Sequence, residues 1–242
     1  RAQVEVLSGP AARPVVIDDP SDTWSHGIFR FDQAVGEFRA CRMRVADQGP
    51  VKAVLRVESA YGSSRLTQDF TVYRDLDTID VHVTVDWHEH SKVLKLRFPV
   101  NVTAACATHE IPYGHIQRPG SGDEEPIQRW VDVTGLSVTT GGSYGLSVLN
   151  DGKPSVDVLG SDIGLTVLRS PIYAHHVPAV PDPDTDYRYI DQGEQSFSYS
   201  LWPHAGGWEQ AGTVRQATLL NQPPVAFFAA ARPGGLLPLS AC

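Results

Sequence analysis

The residues best suited by type and spacing to chemistry lie in the stretch DWHEH, residues 86–90 of a 242-residue chain. On a strand, His88 and His90 share one face roughly 6.6 Å apart. An H-x-H pair suits zinc, but zinc needs a third ligand and usually a fourth. His82 and Asp86 share that face but are spread along it. The competing reading is the wet face of a strand entering a hairpin, with SKVLKLRF as the return strand. Four-coordinate closure is not evident, so no metal is expected at His88 and His90. The pair His175–His176 lies in a proline-rich stretch and makes a weaker case.

Nucleophilic chemistry finds no better footing. No G-x-S-x-G elbow is present. The glycine-rich stretches lack phosphate-loop spacing and its lysine. Cys106, in TAACATH, reads as a small core residue on a strand. Paired carboxylates of the glycosidase type come from distant segments, so spacing cannot reveal them. The residues alone describe a β-rich domain without a self-evident reactive centre.

The elements that must position these groups are strands. In TIDVHVTVDW, Ile79, Val81, Val83, Val85 and Trp87 alternate with Asp80, His82, Thr84 and Asp86. That period of two means one buried and one wet face. VLKLRFPV repeats the pattern, with Leu94, Leu96 and Phe98 expected inward and Lys95 and Arg97 outward. QSFSYSLW sets Phe197, Tyr199 and Leu201 against serines. Turn chemistry is read at 75–77, 119–126, 140–142 and 150–152. Many short strands with hairpin signals predict an all-β fold, a large antiparallel sandwich. One departure is expected near 208–220, where Trp208, Ala211, Val214, Ala217 and Leu220 recur at threes. Gly206 and Gly207 precede that run and Pro223 ends it, so a short helix is predicted. HHVPAVPDPDTDY, residues 175–187, reads as a surface loop.

Bulk properties set limits. Hydrophobic residues make up 41% of the chain, enough for a real core. A net charge of −8 without a basic cluster argues against nucleic acid and anionic membranes as partners. No apolar run approaches the roughly 20 residues of a spanning helix. Cys41, Cys106 and Cys242 are far apart and odd in number, which suits a reducing, cytoplasmic setting. The start at Arg1 and the finish at LLPLSAC read as a piece cut from a longer protein.

Several stretches together resemble the C-terminal β-domain of glycoside hydrolase family 38, the α-mannosidases, in the bacterial and cytosolic branch. They are DPSDTWSHGI (19–28), VDWHEHSKVLKLRFPV (85–100), IPYGHIQRP (111–119), QRWVDVT (128–134), YGLSVLNDGK (144–153), LTVLRSP (165–171), FSYSLWPH (197–204) and AGTVRQATLLNQP (211–223). Order and spacing also fit, from about residue 19 to residue 223. The resemblance implies a galactose mutarotase-like β-supersandwich over 1–223, with 224–242 opening a further terminal β segment. It implies a retaining α-mannosidase in which an aspartate nucleophile and an acid flank the scissile bond while zinc binds sugar hydroxyls. Those groups belong to a preceding catalytic barrel, followed by a helix bundle, and none of their motifs occurs here. No catalytic residue and no metal ligand is therefore expected in this chain, and zinc is expected in the barrel. The barrel and helix bundle would be its structural partners, and a mannosyl glycan the substrate of the whole enzyme.

Residues expected to face that barrel or its substrate are Trp24 and His26 in W-S-H-G, Tyr113 and His115 in Y-G-H-x-Q-R-P, Asn150 and Asp151 in N-D-G-K, and Arg169 in LTVLRSP. Each stands beside a glycine, a turn or a strand end, where loops meet partner surfaces. The opposing expectations are a core role for Trp24 and Tyr113, capping hydrogen bonds for His26 and His115, and an ion pair of Arg169 with Asp162 or Asp157. Pro154 and Ser155 stand where the family pattern has Tyr-Gly, which puts the role of Asn150 and Asp151 in question. Two alternatives stay open at this level. One is a stand-alone carbohydrate-binding module stacking sugars on its five Trp and eight Tyr. The other is a complete enzyme of the aldose-epimerase type.

Overall fold

The computed structural model describes residues 4–225. In chain order the strands are β1 Arg13–Asp18, β2 Ala34–Glu37, β3 Arg39–Gln48, β4 Lys52–Tyr61, β5 Ser64–Tyr73, β6 Ile79–Trp87, β7 Lys92–Pro99, β8 Val102–Ile111, β9 Gly114–Arg118, β10 Ser121–Pro126, β11 Trp130–Ser137, β12 Ser143–Asn150, β13 Ser155–Leu159, β14 Asp162–Arg169 and β15 Gly193–Ala205, with one helix, α1, at Thr213–Asn221. They form two antiparallel sheets. The six-stranded sheet runs β10-β13-β14-β7-β1-β2, and the nine-stranded sheet runs β3-β4-β5-β6-β15-β12-β11-β8-β9. This is the predicted large antiparallel sandwich. Of the segment 224–242, only residues 224 and 225 lie among those described.

The core sits between the sheets. Val81, Val83, Val85 and Trp87 of β6 meet Leu94, Leu96 and Phe98 of β7, and Ile163 and Leu165 join them from β14. The period-two pattern of β6 is thus realised, and register is fixed because a one-residue slip would turn these side chains to water. Tyr199 of β15, opposite Val81, is fully buried, and its ring packs edge-on against Phe98 at 5.5 Å. Burial pushes its phenol well above the usual range.

Four sequence expectations are corrected. Lys95 and Arg97 do point away from the core, yet Lys95 is completely buried and Arg97 largely so. The chain between β1 and β2 covers their face, with Phe31 packing against Val15, Ile17 and Val93. Under that cover Lys95 pairs with Glu124 and Asp157, while Arg97 pairs with Asp157 and Asp162. The segment 119–126 is a turn only at its start, since Ser121–Pro126 forms the edge strand β10. Its acidic residues are tolerated because Glu124 answers Lys95 and accepts from Ser155 and Thr166, each at 2.5 Å. Cys106 is on a strand but exposed. A register shift opposite Thr134–Leu136 and a positive φ of 49° at Ala104 break the alternation of β8, so residues 103–106 are exposed between the buried Val102 and Ala107. The helix starts later than Trp208, because Gly212 at φ 69° holds 208–212 in turns. The proline-rich loop at 175–187 is a surface loop, as read.

The helix closes the open face of β11, β12 and β15. Ala217 is buried against Trp130 and Leu149, with Trp202, Trp208 and Leu220 around them. A buried polar link fixes it there. Thr213 shares a 2.8 Å hydrogen bond with Ser147, which donates to Asp132, and Asp132 also faces Nε2 of His204 at 2.8 Å.

Candidate functional site

Two surface clusters gather the sequence candidates. The first is built from the loop after β1 and the end of β14. Arg169 ends β14, and its guanidinium reaches across to residues 19–23. Nε donates to Asp19 Oδ2 at 2.6 Å, Nη1 to the Thr23 carbonyl at 2.8 Å, and Nη2 to Ser21 Oγ at 2.7 Å and to the Asp22 carbonyl. The Asp19 side chain is fully buried. Arg169 therefore pairs with Asp19; Asp157 and Asp162 are taken by Arg97. Most of its donors are spent in shaping this loop, and Phe31 lies 5.4 Å from its Cζ.

Asp22, also buried, closes the turn that presents Trp24 and His26. Its Oδ1 accepts from the backbone N–H groups of Trp24 and His26, each at 3.1 Å. Its Oδ2 faces His26 Nδ1 at 2.6 Å and accepts from Val177 N–H at 3.1 Å. Burial works to raise the Asp22 carboxyl; the His26 and backbone hydrogen bonds outweigh it and hold the group far below the usual carboxylate range. Trp24 is 57% exposed, so it is not a core anchor. His26 does take a turn-capping hydrogen bond. His176, from the proline-rich loop, stacks beside both rings, 4.6 Å from His26 and 5.6 Å from Trp24.

The second cluster lies in the other sheet. β8 and β9 form a hairpin whose tip is Pro112–Tyr113. Tyr113 sits at φ 64° with its side chain fully exposed, so it is not in the core. A non-glycine residue in that conformation costs free energy, and such cost concentrates at recognition sites. Behind it lies a cleft of about 620 Å³ lined by Glu110, Tyr113, His115, Arg129 and Trp130. His115 packs on Trp208 at 4.6 Å, and Trp208 on Trp130 at 4.9 Å. Arg129 grips the buried Glu110 carboxylate through Nε and Nη2 and through its own N–H.

Asn150 and Asp151 shape the turn by which the chain crosses from β12 in one sheet to β13 in the other. Asn150 Oδ1 accepts from Gly152 and Lys153 N–H at 3.0 and 2.6 Å, and Asp151 accepts from Ser198 N–H at 2.8 Å. His88 and His90 do not converge. Nε2 of His88 meets Asp86 at 2.9 Å, whereas His90 stacks on Tyr189 at 3.8 Å. Sequence reasoning gave Asp19 and Asp22 no role, weighed His176 only as a weaker metal candidate and read Trp208 only as part of a helix. Only the acidic D-x-x-D of DPSD, separated from W-S-H by Thr23 alone, offered a local signal for the two aspartates.

The two antiparallel sheets, with the loops that carry these clusters, define a large β-sandwich domain. The chain belongs to the glycosyl hydrolases family 38 C-terminal domain family, whose model matches residues 5–185. It is similar to alpha-mannosidase 2C1 of Homo sapiens, at 35% identity over 173 residues, covering 68% of this chain and 15% of that protein. Alpha-mannosidase G of Dictyostelium discoideum is 28% identical over 225 residues, covering 86% of this chain and 19% of that protein. The chain thus spans less than a fifth of the length of these relatives. A solved family 38 protein from Enterococcus faecalis shares the fold at TM-score 0.71 and 17% identity, covering 88% of this chain and 28% of the other.

Proposed function

We propose that this chain is the non-catalytic β-domain of a retaining α-mannosidase that removes terminal mannosyl residues from glycans. The observation that carries the reading is the 35% identity to an α-mannosidase over 173 residues, together with the family match at residues 5–185. The nucleophile, the acid and the zinc ligands belong to the preceding catalytic barrel. The H-x-H pair here does not suit that zinc, since its two rings are engaged separately. The β-domain presents two surfaces to its partner. Trp24 and His26, braced by Arg169, form one, and the strained Tyr113 tip with His115 forms the other. Arg169 acts chiefly as a positioning residue, because its fork is already committed to Asp19 and the loop carbonyls.

The same reading has the whole enzyme working in the cytoplasm, and what supports it is that Cys41 and Cys106 are free and exposed. No helix among the described residues is long and apolar enough to cross a membrane. The reading is tested by assaying the 242-residue chain, and the longer protein containing it, on an aryl α-mannoside with added zinc. Turnover is expected from the longer protein only. Activity that follows the purified short chain through chromatography overturns the proposal.

A further inference from the structure

We propose that Asp22, His26 and His176 form a binding site for a divalent transition-metal ion of the zinc, cobalt or nickel type. Each offers one ligand atom, and the three atoms lie within 4.8 Å of one another. Among the described residues this is the one such group of His, Cys, Asp and Glu. A tetrahedral zinc with bonds of about 2.0–2.2 Å sets its ligands roughly 3.4 Å apart. Asp22 and His26 stand 2.6 Å apart and no separation in the group exceeds 4.8 Å, within reach of that spacing. Movements of about an ångström close the site, and the two exposed imidazoles are free to make them.

The backbone has already brought the ligands together from positions 150 residues apart in sequence. Thr23 N–H donates to the His175 carbonyl at 3.1 Å, and Thr23 Oγ1 donates to the Ile172 carbonyl at 2.7 Å. Val177 N–H donates to the same Asp22 oxygen that faces His26. His176 is therefore held between two anchored neighbours. Asp22 is buried and fixed, whereas the imidazoles stand at the surface, so the ion meets one rigid and two adjustable ligands. The local charge also suits a cation. Asp19 and Asp22 bring two negative charges against the single positive charge of Arg169, and the histidines bind as neutral rings. On binding at Nδ1, His26 carries its proton on Nε2. Water fills the remaining position. A bound ion would staple the loop after β1 to the proline-rich loop beside Arg169.

The test is calorimetric titration of the chelator-stripped 242-residue chain with Zn²⁺, Co²⁺ and Ni²⁺, together with melting curves. One ion per chain and a raised melting temperature are expected. His176→Ala and His26→Ala, both surface changes, should each weaken binding at least about tenfold, as even outer-sphere losses cost that much. His88→Ala/His90→Ala should bind as wild type. No stoichiometric binding by any of the three ions overturns the proposal. So does affinity unchanged in both His176→Ala and His26→Ala, or loss confined to the His88→Ala/His90→Ala chain. None of these outcomes depends on mannosidase activity.

Discussion

Nε of Arg169 donates to Oδ2 of Asp19 over 2.6 Å, joining residues 150 positions apart through a carboxylate that no water reaches. The pair makes the end of β14 a brace for the loop after β1. Breaking it by Arg169→Ala leaves a buried carboxylate unpaired, which costs roughly 3–5 kcal/mol of stability. In the full enzyme the same change should lower kcat/KM by about tenfold or more, since Trp24 and His26 lose their support. Asp19→Ala/Arg169→Ala should recover part of the stability in a double-mutant cycle. Wild-type stability and kinetics in Arg169→Ala would reduce the pair to a surface contact.

The strands were legible because their chemistry is local. Val81 to Trp87 announce a buried face through alternation alone, and the structure buries each of them. Lys95 obeyed the same alternation and was misplaced, because the sandwich carries a second cover over its outer face. Its partners Glu124 and Asp157 come from two other strands, and one of those strands is acidic enough to look like a turn. Trp24 and His26 were singled out from one motif and Arg169 from another, and the fold places all three in one cluster. His176 looked inert in its loop, because only long-range hydrogen bonds set it beside His26.

The buried lysine gives a second expectation. Lys95→Met removes the cation shared by Glu124 and Asp157, leaving the part-buried Glu124 without a cation and Asp157 with Arg97 alone. Loss of roughly 3–5 kcal/mol is expected in urea unfolding. Lys95→Met combined with Glu124→Gln should regain part of it. A Lys95→Met chain as stable as wild type would show that the network carries no weight.

His109 predicts a pH dependence. Its ring is 1% exposed and neither ring nitrogen has a hydrogen-bond partner. Burial, aided by the nearby Arg118 charge, pushes its pKa down from 6.5 to about 4. The unfolded chain therefore binds a proton that the folded chain refuses between those values. The stability this neutral ring contributes is complete above pH 6.5 and drains away as pH falls toward 4. Between pH 7.5 and pH 5 the loss from this group is about 2 kcal/mol. Urea unfolding of wild type and His109→Phe at both pH values checks it. The wild type should lose that much more than the variant, and identical pH profiles would contradict the assignment.

The central claim is that this β-domain supports α-mannoside hydrolysis and does not perform it. The most direct measurement is the rate of aryl α-mannoside turnover with zinc by the purified 242-residue chain, set beside the longer protein that contains it. On the proposed reading the two carboxyl groups lie outside this chain, so neither the covalent route nor the acid is available to it. The account predicts turnover by the longer protein and only the uncatalysed rate from the short chain. Zinc-dependent turnover that co-elutes with the short chain, and survives purification to constant specific activity, would contradict it.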